Sequence, residues 1–335
     1  MLSYVSRKIH IGLAAGLLMS GMLCGAATAA TTTWKCYTYI PSPTHVVFKG
    51  MVEIMEKFRD ATGGAIDFKC NVGGSLPIDA NSILPALASG VIDLATDGFV
   101  SGSVPVAGIT GLPGLFGSVE EVEKGLDAAM PTLEPAFEKS GVVVLGKYIY
   151  PRQVIWSKGA VNTLADLSGK KVRVTTVEQS EFVKAFGAVP VTIGTAEVAT
   201  SLQRGIVSTV LTAAAGGGRL WVDLLDHTSD LGPNFIVSHI LVSKSKFDAL
   251  PADQQEALRK ISSAEGEAIT KRLIDENASL LADFAANKGL VITPANADEE
   301  KKLTDTMASY WDIWAKERGD LAVKVLADVK AALGR

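Results

Sequence analysis

The chain has 335 residues, with 32 Lys and Arg against 36 Asp and Glu and a formal charge of −4. No basic run stands out, so nothing recommends a nucleic acid or an anionic membrane surface as a partner. A chain this long favours two lobes over one core. With a mildly negative field, any anion it binds must be held by a local site.

Residues 1–29 read as an export signal. Arg7 and Lys8 form a positive start, Ile11 to Leu23 an apolar stretch short for a membrane span, and Ala27-Thr28-Ala29 a small-residue cleavage site. Cys24 follows Gly21-Met22-Leu23, a poor lipoprotein signal.

Trp34 to Ile40 reads as a strand, and residues 43–62 as an amphipathic helix with Val47, Met51, Ile54, Met55 and Phe58 on one face. Strands at 66–72 and 91–96 flank a helix over 79–89. This alternation implies a mostly parallel sheet covered by helices. Glycines and prolines argue against regular structure over 98–117. Ser118 and Glu121 then form a capping box for a helix, which Pro131 is expected to break before a second short helix ends near Phe137. Val142 to Ile149 is an apolar strand.

A second lobe begins near Pro151. Strands are expected over 153–157, 172–175, 190–193 and 207–212. Helices are expected from the Thr176/Gln179 cap to Phe186 and over 195–204. Asn234 to Ser243 reads as one long strand returning to the first lobe. Residues 252–287 are almost uninterrupted helix formers, long for a single globular helix and suited to a strut along both lobes. Two more helices follow, over 297–316 and 321–333. The expected division is therefore 1–29 signal, 30–150 first lobe, 151–237 second lobe, 238–277 return and spanning helix, and 278–335 completion of the second lobe with the C-terminal helices. An internal echo supports paired lobes. Leu87 to Ile92 and Leu202 to Val207 each end a helix on glycine and run directly into a β-branched strand.

Cys36 and Cys70 fall in the first two strands, which are usually neighbours in such a lobe. Either they form a disulfide, which export permits, or they are two buried thiols. No Cys/His spacing suggests a metal, no cofactor motif is present, and HExxH, GxSxG and P-loop motifs are absent, so no catalytic residue is assigned.

Arg173 lies in the short β-branched run Lys171 to Val174. A guanidinium held on a strand is a planar two-pronged donor matched to a carboxylate. Either it faces a cleft at the strand end or it pairs with an acid at the sheet edge. Arg152, at the start of the preceding strand, is either a second ligand arginine or a surface group. Tyr39, Phe99 and Trp156, with Tyr37, Phe186 and Trp221, are candidate cavity walls, although aromatics more often fill cores. His45 either donates to an anion or caps the helix that follows. Gly74, after the second strand, can present its backbone N–H to the cleft.

The run from Arg152-Gln153 through Asp166-Leu167-Ser168-Gly169-Lys170-Lys171-Val172-Arg173-Val174 to Arg204-Gly205-Ile206-Val207, with the Leu112 to Phe116 turn, resembles the DctP-type solute-binding proteins of TRAP transporters. The resemblance covers nearly the whole chain after the signal. It implies a type II periplasmic-binding-protein fold, α/β and two-lobed, with a long helix shared by both lobes. It implies a monomeric periplasmic receptor that closes on an organic acid and hands it to the small and large permease subunits. Arg173 is the expected carboxylate clamp, with Arg152 beside it. ABC-type or sensor-linked receptors are the alternative. Many relatives carry Asp-Gly-Gln-Glu-Asn after the glycine junction, where this chain has Ser208 to Gly216, small and apolar. That departure favours a compact acid, aromatic or short oxo- or hydroxy-, over a sugar acid, with Thr212 as a single hydrogen-bond partner and room at Gly216 to Gly218.

Overall fold

Short β-branched runs and amphipathic helices build two sheets, which the chain visits alternately. The computed structural model describes residues 31–97 and 99–335, so the expected export signal lies outside the described residues. The first lobe contains β1 (Thr32–Thr38), α1 (Val46–Ala61), β2 (Ile66–Asn71), α2 (Ile83–Ala88), β3 (Leu94–Thr96), α3 (Val119–Lys139) and β4 (Val142–Ile149). The second contains β5 (Gln153–Ser157), β6 (Lys171–Val174), α4 (Val177–Ala185), β7 (Val189–Thr192), α5 (Val198–Gln203), β8 (Thr209–Thr212), the one-turn α6 (Arg219–Trp221) and β9 (His227–Asn234). The chain then continues through β10 (Val237–Ser243), α7 (Lys244–Asp248), α8 (Ala252–Lys288), β11 (Val291–Thr293), α9 (Ala297–Arg318) and α10 (Asp320–Leu333).

The first sheet has the order β2-β1-β3-β10-β4 and the second β11-β9-β5-β8-β6-β7. β10 runs antiparallel to both its neighbours, so it is the strand that returns from the second lobe. The β4–β5 and β9–β10 connections thus cross side by side between the lobes, tied by the Tyr150 N–H donating to the Ile236 carbonyl at 2.9 Å. The expected continuous strand over 234–243 is instead interrupted there, because β9 pairs in one sheet and β10 in the other.

Two helices span both lobes. α8 buries Leu258, Ile269 and Leu273 in the first-lobe core and Phe284 in the second. Glycine permits its approach to β4: a Cβ on Gly266 would lie 2.2 Å from the Lys147 carbonyl oxygen. α9 places Leu303 and Met307 with the second-lobe core and Trp311, Trp314 and Ala315 with the first. α10 buries Val325, Leu326 and Val329 in that same first-lobe core, so the segment after 278 divides between the lobes.

Pro131 does not break α3. Pro131 and Pro135 sit on its exposed face, where carbonyls deprived of a helical partner meet water. Leu126, Ala129, Leu133 and Phe137 keep the opposite face in the core. Cys36 and Cys70 are register partners on parallel β1 and β2, with Cα atoms 4.4 Å apart and their sulfurs in bonding contact.

Candidate ligand-binding site

A cavity of about 40 Å3 lies where the two lobes and the crossing strands meet. Tyr39 and Ile40 reach it from the end of β1, His45 from the start of α1, and Phe99 from the loop after β3. Tyr150, Gln153 and Ile236 come from the crossing segments. Arg173 and Thr175 come from the end of β6, Thr195 from the turn before α5, Thr212 from the end of β8, and Gly216, Gly217, Leu220 and Trp221 from the turn beyond it.

Arg173 is the charge in this cavity. β6 is short, with Val172 and Val174 turned into the second-lobe core and Arg173 alternating to the opposite side. Only 3% of Arg173 is exposed. Its Nε–H donates to the Ile193 carbonyl at 2.9 Å, and its guanidinium lies 5.3 Å from the Trp221 ring centroid. Its Nη2 is buried without a protein partner, and no carboxylate pairs with it among the described residues. Burial pushes its pKa down to about 10, which leaves it a cation at neutral pH. A buried, half-satisfied guanidinium is costly unless an anion completes it.

The other walls are neutral. The Tyr39 and Tyr150 hydroxyls are 3.1 Å apart, and burial pushes both phenols up. His45 serves as the N-cap of α1. Its Nδ1 accepts from the Val47 N–H at 3.2 Å, which leaves Nε2–H to donate to the Ala215 carbonyl at 3.1 Å. Burial, then the charge of Arg219, lowers its pKa to about 4. The imidazole is therefore a neutral wall that ties the lobes together, with both nitrogens already used.

Several expected contacts lie elsewhere, among them Tyr37, which lines the adjoining groove. Arg152 turns toward α9, where Nη1 pairs with Glu300 at 2.5 Å, and it does not line the cavity. Trp156 is fully buried beneath the floor, its Nε1–H donating to the Thr212 carbonyl at 3.1 Å. The Gly74 N–H donates to the Tyr37 hydroxyl, and Gly74 lines an adjoining groove rather than the cavity. Phe186 packs on Phe182 in the second-lobe core. The glycines after Thr212 mostly leave room for protein: a Cβ on Gly217 would fall 2.2 Å from the Trp221 ring, and one on Gly218 2.8 Å from Trp156. Gln153, Tyr150, Thr175 and Thr195 went unmarked in the sequence. The Arg152-Gln153 pair marks the place, with the glutamine rather than the arginine reaching the cavity.

Two α/β lobes, crossed by paired strands and clasping a buried unpaired cation, define a ligand-binding receptor. A model of the bacterial extracellular solute-binding proteins of family 7, the DctP family, matches residues 37–317, and the chain belongs to that family. The Salmonella typhimurium protein YiiZ, described as uncharacterized, is 31% identical over 159 residues; the match covers 45% of this chain and about half, 48%, of that relative's length. The Escherichia coli 2,3-diketo-L-gulonate-binding periplasmic protein YiaO is 25% identical over 82% of this chain and 85% of its own. The crystal structure of DctP7, a Bordetella pertussis extracytoplasmic solute receptor binding pyroglutamic acid, superposes with a TM-score of 0.83, at 23% identity, over 90% of this chain and all of that one. The likeness to DctP7 shows a shared two-lobed fold.

Proposed function

We propose that this protein is a periplasmic receptor that binds a small organic acid between its lobes and delivers it to a TRAP permease. One observation carries the reading: Arg173 is a buried cation whose Nη2 meets no protein acceptor, in a cavity between the lobes. A carboxylate supplies both the missing charge and the missing acceptor. Gln153 and Thr195 offer uncharged hydrogen-bonding groups around it, and Phe99, Leu220, Trp221 and Ile236 offer apolar surface; the Thr212 hydroxyl, expected as a ligand partner, already donates to the Ala213 carbonyl and accepts from the Gly217 N–H, and that of Thr175 donates to Gln179 Oε1. This balance suits a compact body, closer to the pyroglutamic acid bound by DctP7 than to the diketo sugar acid of YiaO. Among the described residues no helix is long and apolar enough to cross a membrane. The expected export signal supports a periplasmic location.

Substitution of Arg173 by Met tests the reading. Leaving a carboxylate buried without its partner costs about 3–5 kcal/mol, more than about a hundred-fold in affinity. The ligand-free variant should melt no lower than the parent, because an unpaired buried charge has been removed. Calorimetry that gives the variant parental affinity for an acid would remove Arg173 from the site. A thermal-shift panel in which neutral sugars bind and no carboxylate does would overturn the function.

A further inference from the structure

Resting on the receptor reading above, we infer that the cavity selects its acid by charge. It takes a compact monocarboxylate of net charge −1 and rejects both dicarboxylates and zwitterionic amino acids. Among the residues lining the cavity Arg173 is the sole formal charge; none is Asp, Glu or Lys. His45 adds no second cation, since both ring nitrogens are committed to protein partners. The two other arginines near the site are already neutralised, Arg152 by Glu300 at 2.5 Å and Arg219 by Glu276 at 2.8 Å. A second carboxylate on the ligand would therefore be buried with no cation to meet it.

An ammonium group fares no better. Asp97, the acid behind Tyr39, is fully engaged by His239, whose backbone N–H reaches one oxygen at 3.0 Å and whose ring Nδ1 reaches the other at 2.9 Å. A zwitterion would leave the closed cavity with a net positive charge, a dianion with a net negative one, and only a monoanion makes it neutral. An unbalanced buried charge is among the costliest features a binding site can carry. The adjoining groove adds to the discrimination. It shares Tyr39, Phe99, Thr175 and Thr195 with the cavity, and it presents Asp79 and Glu197 with no Lys or Arg. These two carboxylates oppose a dianion more than a monoanion wherever the ligand passes within a screening length of them, about 8–10 Å.

Calorimetry of the exported protein against matched probes tests the rule. Pyroglutamate and proline share a five-membered ring and a carboxylate, but the ring nitrogen is a neutral lactam in one and an ammonium in the other. Succinate has similar bulk and a second carboxylate, and cyclopentanecarboxylate has neither added charge nor added polarity. At least one of the two monocarboxylates should bind about a hundred-fold or more tighter than proline and succinate. Thr195→Lys places a cation at the half-buried rim and should raise succinate affinity by about ten-fold or more without loss of fold. Proline or succinate binding within ten-fold of the better monocarboxylate, with dependence on Arg173 intact, would overturn the charge rule and leave the receptor reading standing. Failure of every carboxylate would overturn both.

Discussion

His45 makes a titratable link between the lobes, and its acid behaviour follows from where its nitrogens go. Nδ1 must stay unprotonated to cap α1, and Nε2–H reaches across to Ala215. Burial and then the Arg219 charge lower the pKa from 6.5 to about 4, against the smaller opposing effect of the Ala215 hydrogen bond. Between those values the unfolded chain holds a proton that the folded chain refuses, so stability falls as pH drops through the window. The full difference, from 6.5 to about 4, corresponds to about 3 kcal/mol. Asn is a good N-cap that does not titrate. In His45→Asn, the loss of stability between pH 7 and pH 4.5, measured by urea unfolding, should be smaller than in the parent by about 2–3 kcal/mol. Parallel pH profiles in the two proteins would show that the folded imidazole accepts its proton freely.

The first two strands carry a covalent expectation at the scale of elements. β1 and β2 run parallel with Cys36 opposite Cys70, and a Cα separation of 4.4 Å lies at the short end of the disulfide range. We expect the protein, in an oxidising compartment, to contain this bond, which closes a loop of 34 residues. Its loss in a Cys36→Ser/Cys70→Ser variant should cost about 4 kcal/mol by loop-closure entropy. Two alkylatable thiols in the unreduced, unfolded protein, counted by mass, would refute it. The adjacency of the two strands was legible because it follows from βαβ topology, whereas the choice between a disulfide and two thiols was open. So was the end of β6: alternation alone turns Arg173 away from Val172 and Val174, and Thr176 accepts the Gln179 N–H at 3.2 Å as the cap pattern implies. The fate of Arg152 was not legible, because its partner Glu300 lies 148 residues away on α9. The unbroken α3 escaped for a related reason. The effect of Pro131 depends on which face the tertiary core leaves exposed, and periodicity alone does not rank those faces.

Closure of the whole molecule is expected to depend on a contact outside the Arg173 cavity. In a receptor whose lobes part to admit an acid, closure completes the cavity at their junction. What holds them together then sets affinity as much as the ligand contacts do. Glu178 stands on α4, a second-lobe helix, yet it is fully buried against the first lobe. Its Oε1 accepts from Trp314 Nε1–H at 2.8 Å and from Arg318 Nη2–H at 3.1 Å. Gly108, in the first lobe, admits it so closely that a Cβ there would lie 2.7 Å from the same oxygen. Glu178 is therefore expected to act as a latch on the closed form. Glu178→Ala removes it without touching a cavity wall, so it should shift the population toward open lobes and raise the Kd for a carboxylate about ten-fold, or 1.4 kcal/mol. Small-angle scattering of the ligand-free variant should show a larger radius of gyration than the parent. Saturating ligand should bring the two together, because binding energy replaces the missing latch. Equal affinities and equal radii before ligand is added would place the closing force elsewhere, in the His45 to Ala215 link or in the ligand itself.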